Sequence, residues 1–221
     1  MNIYSAIIKG TKILNDNLIL SSHLDAELLM AQAIKKDRKY ILLNSNKELR
    51  PKALNTFKNL IKKRSFREPI AYLMNKKFFW KFDFYVTMDT LIPRPDTELI
   101  VENVLKLTKH KNKLNILDIG IGSGCILLSI LKERKNYSGT GVDISQKCLN
   151  ISKINAIKLN VNSRLKLFKS NIDKFTLGKY DLIVSNPPYI IKHRLKYLET
   201  DVIKFEPNLA LDGGLDGLSE I

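Results

Sequence analysis

The spacing of apolar residues near the start of the chain predicts helices. In residues 24–34 the apolar positions recur close to the 3.6-residue period of an α-helix: Leu24, Leu28, Met30 or Ala31, and Ile34. Ser22 stands where an N-cap would. Residues 51–64 begin with a proline suited to a first helical turn and place four apolar residues on one face: Leu54, Phe57, Leu60 and Ile61.

The pattern changes at residue 76. The stretch KKFFWKFDFYVTM (76–88) is rich in aromatic residues and lacks helical spacing, which predicts a strand pair or hairpin. We interpret residues 76–92 as a β-hairpin connector between two domains. Pro95 can then begin a helix whose predicted apolar face holds Leu99, Ile100, Val104 and Leu107.

From residue 114 onward, short apolar runs alternate with helical patterns. The predicted strands are LNILDIG, SGTGVDIS, RLKLFKS and YDLIVSN, and the predicted helices are GCILLSILKER and QKCLNISKINAIKLN. This alternation predicts an α/β fold with a doubly wound, Rossmann-like parallel sheet. The chain therefore divides into a helical domain over 1–75, the connector over 76–92 and a sheet domain over 93–221.

The composition adds a charge asymmetry to this picture. Residues 1–85 contain 17 Lys and Arg against 7 Asp and Glu, whereas the remainder contains 20 against 15. Such an excess favours an anionic partner, such as RNA, a ribosome or an acidic protein, but it is equally typical of a lysine-rich solvated surface.

Cysteine usage and hydropathy indicate where the protein works. Cys125 and Cys148 lie far apart, outside any metal-ligand spacing, so we expect two free buried thiols, no metal and a reducing cytoplasm. The amino terminus does not resemble a signal peptide, and no apolar run reaches membrane-spanning length. We expect a soluble cytoplasmic protein with no membrane partner.

A glycine turn, DIGIGSGC (118–125), joins the first predicted strand of the sheet to its helix. Gly120, Gly122 and Gly124 allow a sharp turn and a close approach of a ligand to the helix N-terminus. A dinucleotide turn would need glycine where Cys125 stands. The spacing fits better with a turn that binds S-adenosylmethionine through residues 120–124, that is Gly120, Ile121, Gly122, Ser123 and Gly124. A tight turn without a ligand is the other interpretation.

Two further strand ends carry candidate cofactor ligands. Asp143 ends the second strand of the sheet, 19 residues after Gly124, where a carboxylate can accept hydrogen bonds from both ribose hydroxyls. After the third strand, Asn171 could bond the exocyclic amine of adenine and Ile172 could cover the ring. A solvated Asp143 and simple strand-end packing of Asn171 and Ile172 are the alternatives.

The stretch SNPPYI (185–190) follows the fourth strand. Two successive prolines cannot donate to a sheet ladder, so the strand stops and presents Asn186 and Tyr189 at its carboxyl end. The side-chain oxygen of Asn186 and the carbonyl of Pro187 can accept the two N–H groups of a target amide, which turns the nitrogen lone pair toward a methyl donor. Tyr189 can pack on the planar target, and Pro188 stiffens the turn. The alternative interpretation assigns no chemistry to this segment: the prolines only end the strand, and Asn186 is a turn residue.

Five motifs together resemble the peptide chain release factor N5-glutamine methyltransferases. They are LIPRPDTE (91–98), ILDIGIGSG (116–124), GVDIS (141–145), IVSNPPYI (183–190) and FEPNLALDGGLDGL (205–218). The resemblance implies an S-adenosylmethionine-dependent methyltransferase domain over 93–221, and class 1 release factors as substrate and partner, methylated on the glutamine of their Gly-Gly-Gln loop. It also implies that the amino-terminal helices help to hold the release factor, that residues 186–189 hold the glutamine amide, and that Asn186 contacts the cofactor as well.

The sequence departs from that family in two places. The adenine-side pair, commonly an acid followed by an aromatic residue, is Asn171–Ile172 here, which suggests weaker cofactor binding. The family also continues past Ile221 with further strands, so we expect the sheet as given to be incomplete, with an uncovered edge. Alternatives are a methyltransferase for a ribosomal-protein glutamine or a nucleic-acid amine, or an inactive remnant that only binds. We expect a monomer that meets nucleic acid only indirectly, if at all.

Overall fold

The computed structural model describes residues 1–219, which form two compact units. The first unit comprises 1–74 and 200–205, and the second comprises 75–199 and the residues from 206 onward. Glu220 and Ile221, the last two residues of the predicted 93–221 domain, lie outside the described residues. Within residues 1–219, no helix is both long enough and apolar enough to cross a membrane.

The first unit is helical, as the apolar spacing predicts. Its helices are α1 (Ile3–Asp16), α2 (Ser22–Ile34), α3 (Arg38–Leu43), α4 (Pro51–Ser65), α5 (Ile70–Leu73) and, from later in the chain, α9 (Thr200–Phe205). Gly10 lets α1 approach α4 closely, because a Cβ there would lie 2.8 Å from Cζ of Phe57. Phe57 and Ile61 are buried in the core of this unit, and Leu54 and Leu60 pack against it, so the predicted face of α4 is confirmed.

The predicted face of α2 is wrong in part. Leu24 is 44% exposed, whereas Asp25 and Glu27 are buried. Ser22 is the first helical residue and not the N-cap; Ser21 holds that position without a capping hydrogen bond. The apolar spacing misplaces this face because two carboxylates enter the core with charged partners, Asp25 with Arg64 and Glu27 with Arg38.

Arg64 is the centre of this buried charge network. Its Nε donates to Oδ2 of Asp25 at 2.7 Å, its Nη1 donates to Oδ2 of Asp201 at 2.8 Å, and the same nitrogen donates to the carbonyl of Glu68. Burial opposes the charge on Arg64, but the bonds to Asp201 and Asp25 outweigh it and raise the pKa of the guanidinium above its ordinary value. Asp201 belongs to α9, so the network attaches that short helix to the rest of the unit.

The second unit opens with the predicted hairpin. Strand β1 (Lys77–Phe79) pairs antiparallel with β2 (Phe82–Phe84). A 3₁₀ turn over Pro95–Thr97 leads into α6 (Glu98–Leu107). The face expected for α6 is displaced, since Leu99 and Leu107 are exposed and Val101 is buried with Val104. Apolar residues surround most of this short helix, so its sequence does not select one face.

The α/β fold predicted for the rest of the unit is confirmed. Its strands β3 (Asn115–Ile119), β4 (Ser138–Asp143), β5 (Leu165–Lys169) and β6 (Leu182–Ser185) alternate with α7 (Cys125–Glu133) and α8 (Gln146–Lys158). All strand pairs are parallel, in the order β5-β4-β3-β6. This is the 3-2-1-4 order of a Rossmann-like sheet, with its switch point between β3 and β6. One sheet face packs with α6, α7 and α8 around Ile116 and Val184.

Both cysteines are free thiols, as expected. Cys148 is buried, and Cys125 is only partly so. Burial raises the pKa of Cys148 to about 11 and that of Cys125 to about 12. Neither thiol is therefore ionised appreciably at neutral pH.

Candidate active site

The predicted site residues lie together at the carboxyl-terminal end of the parallel strands. The carboxyl ends of parallel strands lie on the same side, and each candidate group ends or follows a strand: the glycine turn follows β3, Asp143 ends β4, Asn171 follows β5 and Asn186 follows β6. The glycine turn and Asn186 belong to neighbouring strands, on the two sides of the switch point. Open α/β sheets bind ligands in the crevice at this position.

The glycine turn takes a backbone conformation that L side chains rarely adopt. The φ angles are +70° at Gly120, +55° at Gly122 and +81° at Gly124. A Cβ at Gly120 would meet nothing within 4 Å, so open space lies beside this residue, whereas a Cβ at Gly124 would lie 2.7 Å from Cδ1 of Leu128. Gly124 therefore serves close packing, and Gly120 adjoins space that a ligand can enter.

The N–H groups of the turn are largely engaged within the protein. Gly120 and Ile121 both donate to the carbonyl of Val142, at 2.9 and 3.1 Å. Gly122 donates to Oδ2 of Asp143 at 3.0 Å. A carboxylate ligand would instead meet the first turn of α7, where N–H groups have no intrahelical partner.

Two polar residues of α8 that the sequence analysis did not single out hold the turn in place. Ser152 donates from Oγ to the carbonyl of Gly122 at 2.7 Å. Asn155 donates from Nδ2 to the carbonyl of Ser123 at 2.9 Å and also bonds both backbone groups of Tyr85. Ser152 and Asn155 lie three residues apart on the buried side of α8, and that spacing is the signal that could have identified them.

Asp143 is buried, and its carboxylate accepts hydrogen bonds from the glycine turn and from the residues that follow β4. Its Oδ2 accepts from the N–H of Gly122 and its Oδ1 accepts from the N–H of Ser145 at 2.8 Å. Each carboxylate oxygen has a second lone pair, so the same group can still accept a ligand hydroxyl. Asp143 thus supports the glycine turn in addition to the ribose role predicted for it.

Asn171 and Ile172 both lie exposed at the end of β5. Oδ1 of Asn171 accepts from the N–H of Asp173 at 3.1 Å and caps the 3₁₀ turn Ile172–Lys174. The structure therefore gives Asn171 a local turn function, and Ile172, at 37% exposure, is available to contact a ligand.

The NPPY segment leaves the end of β6 as the prolines require. Ser185 pairs with Ile119 in the ladder and donates from Oγ to its carbonyl at 2.9 Å. Asn186, Pro187 and Pro188 are partly buried, and Tyr189 is 63% exposed. Nδ2 of Asn186 lies 3.4 Å from Oγ1 of Thr97, at the long end of the hydrogen-bond range.

The segment over 211–219, most of which lies in the motif 205–218, supports the NPPY backbone, a role that the sequence did not indicate. Ile190 donates to the carbonyl of Leu211 at 3.2 Å, and Gly213 donates to the carbonyl of Ile190 at 2.9 Å. A Cβ at Gly213 would lie 2.8 Å from the backbone of Tyr189 and 2.9 Å from the carbonyl oxygen of Pro188. Only glycine fits there without moving Tyr189.

Asp118, the residue before the glycine turn, is the most deeply buried acid near the site. It is 1% exposed, and its Oδ1 has no hydrogen-bond partner within the described part of the chain. Burial raises the pKa of this carboxyl to about 8, and the neighbouring charge of Asp143 acts in the same direction. Its position in β3 agrees with a role in orienting the loop and not in contacting substrate.

Comparisons with known proteins identify the family of this chain. Residues 5–74 match the family described as PrmC N-terminal domain, and residues 95–207 match the family described as Methyltransferase small domain. The release factor glutamine methyltransferase of Caulobacter vibrioides is 38% identical over 210 residues, which cover 93% of this chain and 72% of that protein. The proteins of the same name from Buchnera aphidicola (Acyrthosiphon pisum) and Clostridium acetobutylicum are 40% and 37% identical, over 73% and 78% of their lengths and 90% and 99% of this chain.

The chain therefore belongs to the release factor glutamine methyltransferase family. Among solved structures, an RNA methyltransferase from Salinibacter ruber overlaps 52% of this chain and 72% of its own, at 16% identity and a TM-score of 0.38. That likeness is too low to bear on the assignment.

Proposed function

We propose that this protein transfers the methyl group of S-adenosylmethionine to the side-chain amide nitrogen, N5, of the glutamine in the Gly-Gly-Gln loop of class 1 peptide chain release factors. The observation that carries the proposal is the position of Asn186, next to the glycine turn at the switch point of the sheet, in a chain of this family. Neighbouring strand ends can hold a methyl donor on one side and an amide on the other.

The residues present fit the cofactor. Gly120 adjoins open space, and Asp143 retains acceptor capacity for a ribose hydroxyl. We propose that residues 120–124 and Asp143 hold S-adenosylmethionine, with Asn171 and Ile172 at the adenine side. The bound cofactor supplies an electrophilic methyl carbon on a sulfonium.

The protein contributes positioning more than proton chemistry. An amide nitrogen is a weak nucleophile because its lone pair is delocalised into the carbonyl. We propose that Oδ1 of Asn186 and the carbonyl of Pro187 accept the two N–H groups of the glutamine, so that the lone pair faces the methyl carbon. Bound S-adenosylmethionine would supply the methyl group and leave as the neutral thioether, and one amide proton would pass to water, while Asn186 and Pro187 hold the nitrogen in place. Tyr189, exposed beside Pro188, packs on the amide plane.

The helical domain over 1–75 is proposed to recognise the release factor. A groove of about 420 Å³ lies between α1 and α4. Its lining combines apolar residues with exposed lysines: Ala6, Gly10, Phe57, Ile61, Lys9, Lys58 and Lys62. An apolar surface bordered by acidic side chains would suit this groove.

Replacing Lys9, Lys58 and Lys62 by Ala tests that part of the proposal. The KM for intact release factor should rise, while the KM for an isolated Gly-Gly-Gln peptide should stay unchanged. An equal effect on both substrates would contradict it.

We further propose that the enzyme works as a monomer in the cytoplasm. The two free thiols suit a reducing compartment. A sedimentation mass of a dimer under assay conditions would contradict the first point.

Methyl transfer with labelled S-adenosylmethionine tests the activity. Three acceptors are compared: a class 1 release factor, the same factor with the loop changed to Gly-Gly-Ala, and ribosomal RNA. Label on the intact loop alone is expected. Label on RNA, or on both forms of the factor, would overturn the proposal.

A further inference from the structure

The segment LIPRPDTE (91–98) is anchored at both ends inside the second unit. At its start, Oε2 of the buried Glu206 accepts from the N–H of Ile92 at 3.1 Å, and Oε1 of the same residue pairs with the guanidinium of Arg94. At its end, Oε1 of Glu98 accepts from the N–H of Trp80 at 2.8 Å. Two motifs that contribute no residue to the proposed chemistry, 91–98 and 205–218, are thus joined through one carboxylate.

Thr97 lies between these anchors and faces the site. It is buried and closes the 3₁₀ turn, with its N–H donating to the carbonyl of Arg94 at 3.1 Å. Its hydroxyl oxygen is the atom that Nδ2 of Asn186 approaches, at 3.4 Å. Because its own backbone and both ends of its segment are hydrogen-bonded, Thr97 holds its hydroxyl oxygen in a fixed position.

The orientation of the Asn186 amide decides whether it can work. A carboxamide has one acceptor atom and one donor group, and rotation by half a turn about its last bond exchanges them. Only the oxygen can accept a hydrogen bond from an N–H of the target glutamine. The NH₂ group is itself a donor and would repel that N–H. A hydroxyl can accept from Nδ2 or donate to Oδ1; in the orientation observed, Nδ2 faces Thr97, which leaves Oδ1 for the target.

We propose that Thr97 is a positioning residue: its buried hydroxyl accepts from Nδ2 of Asn186 and so holds Oδ1 in the orientation that receives the glutamine amide. This inference rests on the proposed function. Glu206 and Arg94 act one step further away, by fixing the segment that carries Thr97.

Kinetics of two variants test the role. Thr97→Val keeps the shape and removes the acceptor, whereas Thr97→Ser keeps the acceptor. Thr97→Val should lower kcat about 10- to 100-fold with the Kd for S-adenosylmethionine unchanged, and Thr97→Ser should keep most of kcat. Thr108→Val is the matched control, because this buried hydroxyl donates to the carbonyl of Val104 within α6, away from the site. Equal loss in Thr97→Val and Thr97→Ser, or none in either, would overturn the role.

A spectroscopic measurement separates this inference from the proposed function. The side-chain amide signals of Asn186 are identified by their loss in Asn186→Asp, in ¹⁵N-labelled protein. They should shift in Thr97→Val and not in Thr97→Ser or Thr108→Val. Unmoved signals in Thr97→Val would overturn the contact whatever the activity. Shifted signals in a protein that does not methylate release factors would support the contact and overturn the proposed function.

Discussion

The backbone N–H of Gly122 donates a 3.0 Å hydrogen bond to Oδ2 of Asp143. The glycine turn after β3 and the acid at the end of β4 are therefore one structural element, although 21 residues separate them along the chain. A change at Asp143 must affect both the proposed ribose acceptor and the shape of the turn.

We predict that Asp143→Ala raises the Kd for S-adenosylmethionine at least about 10-fold. The substitution removes the carboxylate oxygens that accept hydrogen bonds from the glycine turn and are proposed to accept them from the ligand. Isothermal titration with S-adenosylmethionine measures it. Asp16→Ala, at an exposed acid of α1, is the control. A normal Kd in Asp143→Ala would remove this residue from the cofactor site.

Replacing Asn186 should stop the reaction and spare the fold. Asn186→Ala removes an acceptor and no core volume, so we expect at least about a 100-fold loss of methyl transfer. The melting temperature should stay close to that of the parent. Full turnover in this variant would contradict the proposed positioning of the amide.

Gly213 is predicted to tolerate no side chain. In Gly213→Ala the new methyl group would press on the backbone of Tyr189, at a cost of about 1–3 kcal/mol, and displace the NPPY segment. Methyl transfer should fall more than stability alone explains. Gly178→Ala is the comparison: its φ of +93° also strains an alanine, but the new methyl group would meet the side chain of Tyr180 and not the NPPY backbone. Equal activities in the two variants would argue against the support given by residues 211–219.

How much of this the sequence reveals differs between elements. The order of strands and helices follows from short apolar runs alternating with helical periods, and the glycine turn and NPPY follow from residue types that strands cannot continue through. The contacts that hold these motifs do not follow. Thr97, Glu206 and Gly213 lie far along the chain from the groups they contact, and no local period relates them.

The same limit explains the two wrong helix faces. Apolar spacing assumes that the buried side of a helix is apolar, but Asp25 enters the core because Arg64, from α4, neutralises it. On α6 apolar residues surround the helix, so tertiary packing alone decides between Leu99 and Val101.

The Arg64 network should be the most sensitive charge cluster of the helical unit. Arg64→Met removes the charge partner of Asp25 and the nearer of the two partners of Asp201, and we expect a loss of about 3–5 kcal/mol in the free energy of unfolding. Arg67→Met is the control; Arg67 is more exposed and lies 3.8 Å from Asp201, so its loss should cost about 1 kcal/mol or less. Denaturant titration measures the free energy of unfolding of both variants. Equal losses would contradict the central role given to Arg64 in this network.

Asp118 makes stability depend on pH. Its folded pKa of about 8 lies above its ordinary value of 3.8, so the folded state holds a proton that the unfolded state releases. Its contribution to stability is therefore complete below pH 3.8 and is lost as pH rises toward about 8. The free energy of unfolding of Asp118→Asn, followed from pH 5 to pH 9, should fall less steeply than that of the parent. Parallel profiles would show that Asp118 is ionised in the fold.

We propose that the amide of a release-factor glutamine is methylated at the carboxyl-terminal end of this sheet. Peptide mapping by mass spectrometry, on a class 1 release factor incubated with S-adenosylmethionine and either the parent protein or Asn186→Ala, tests it most directly. We predict one added methyl group, on the side-chain nitrogen of the Gly-Gly-Gln glutamine, with the parent protein only. A methyl group at any other residue, or the same yield from Asn186→Ala, would contradict the account.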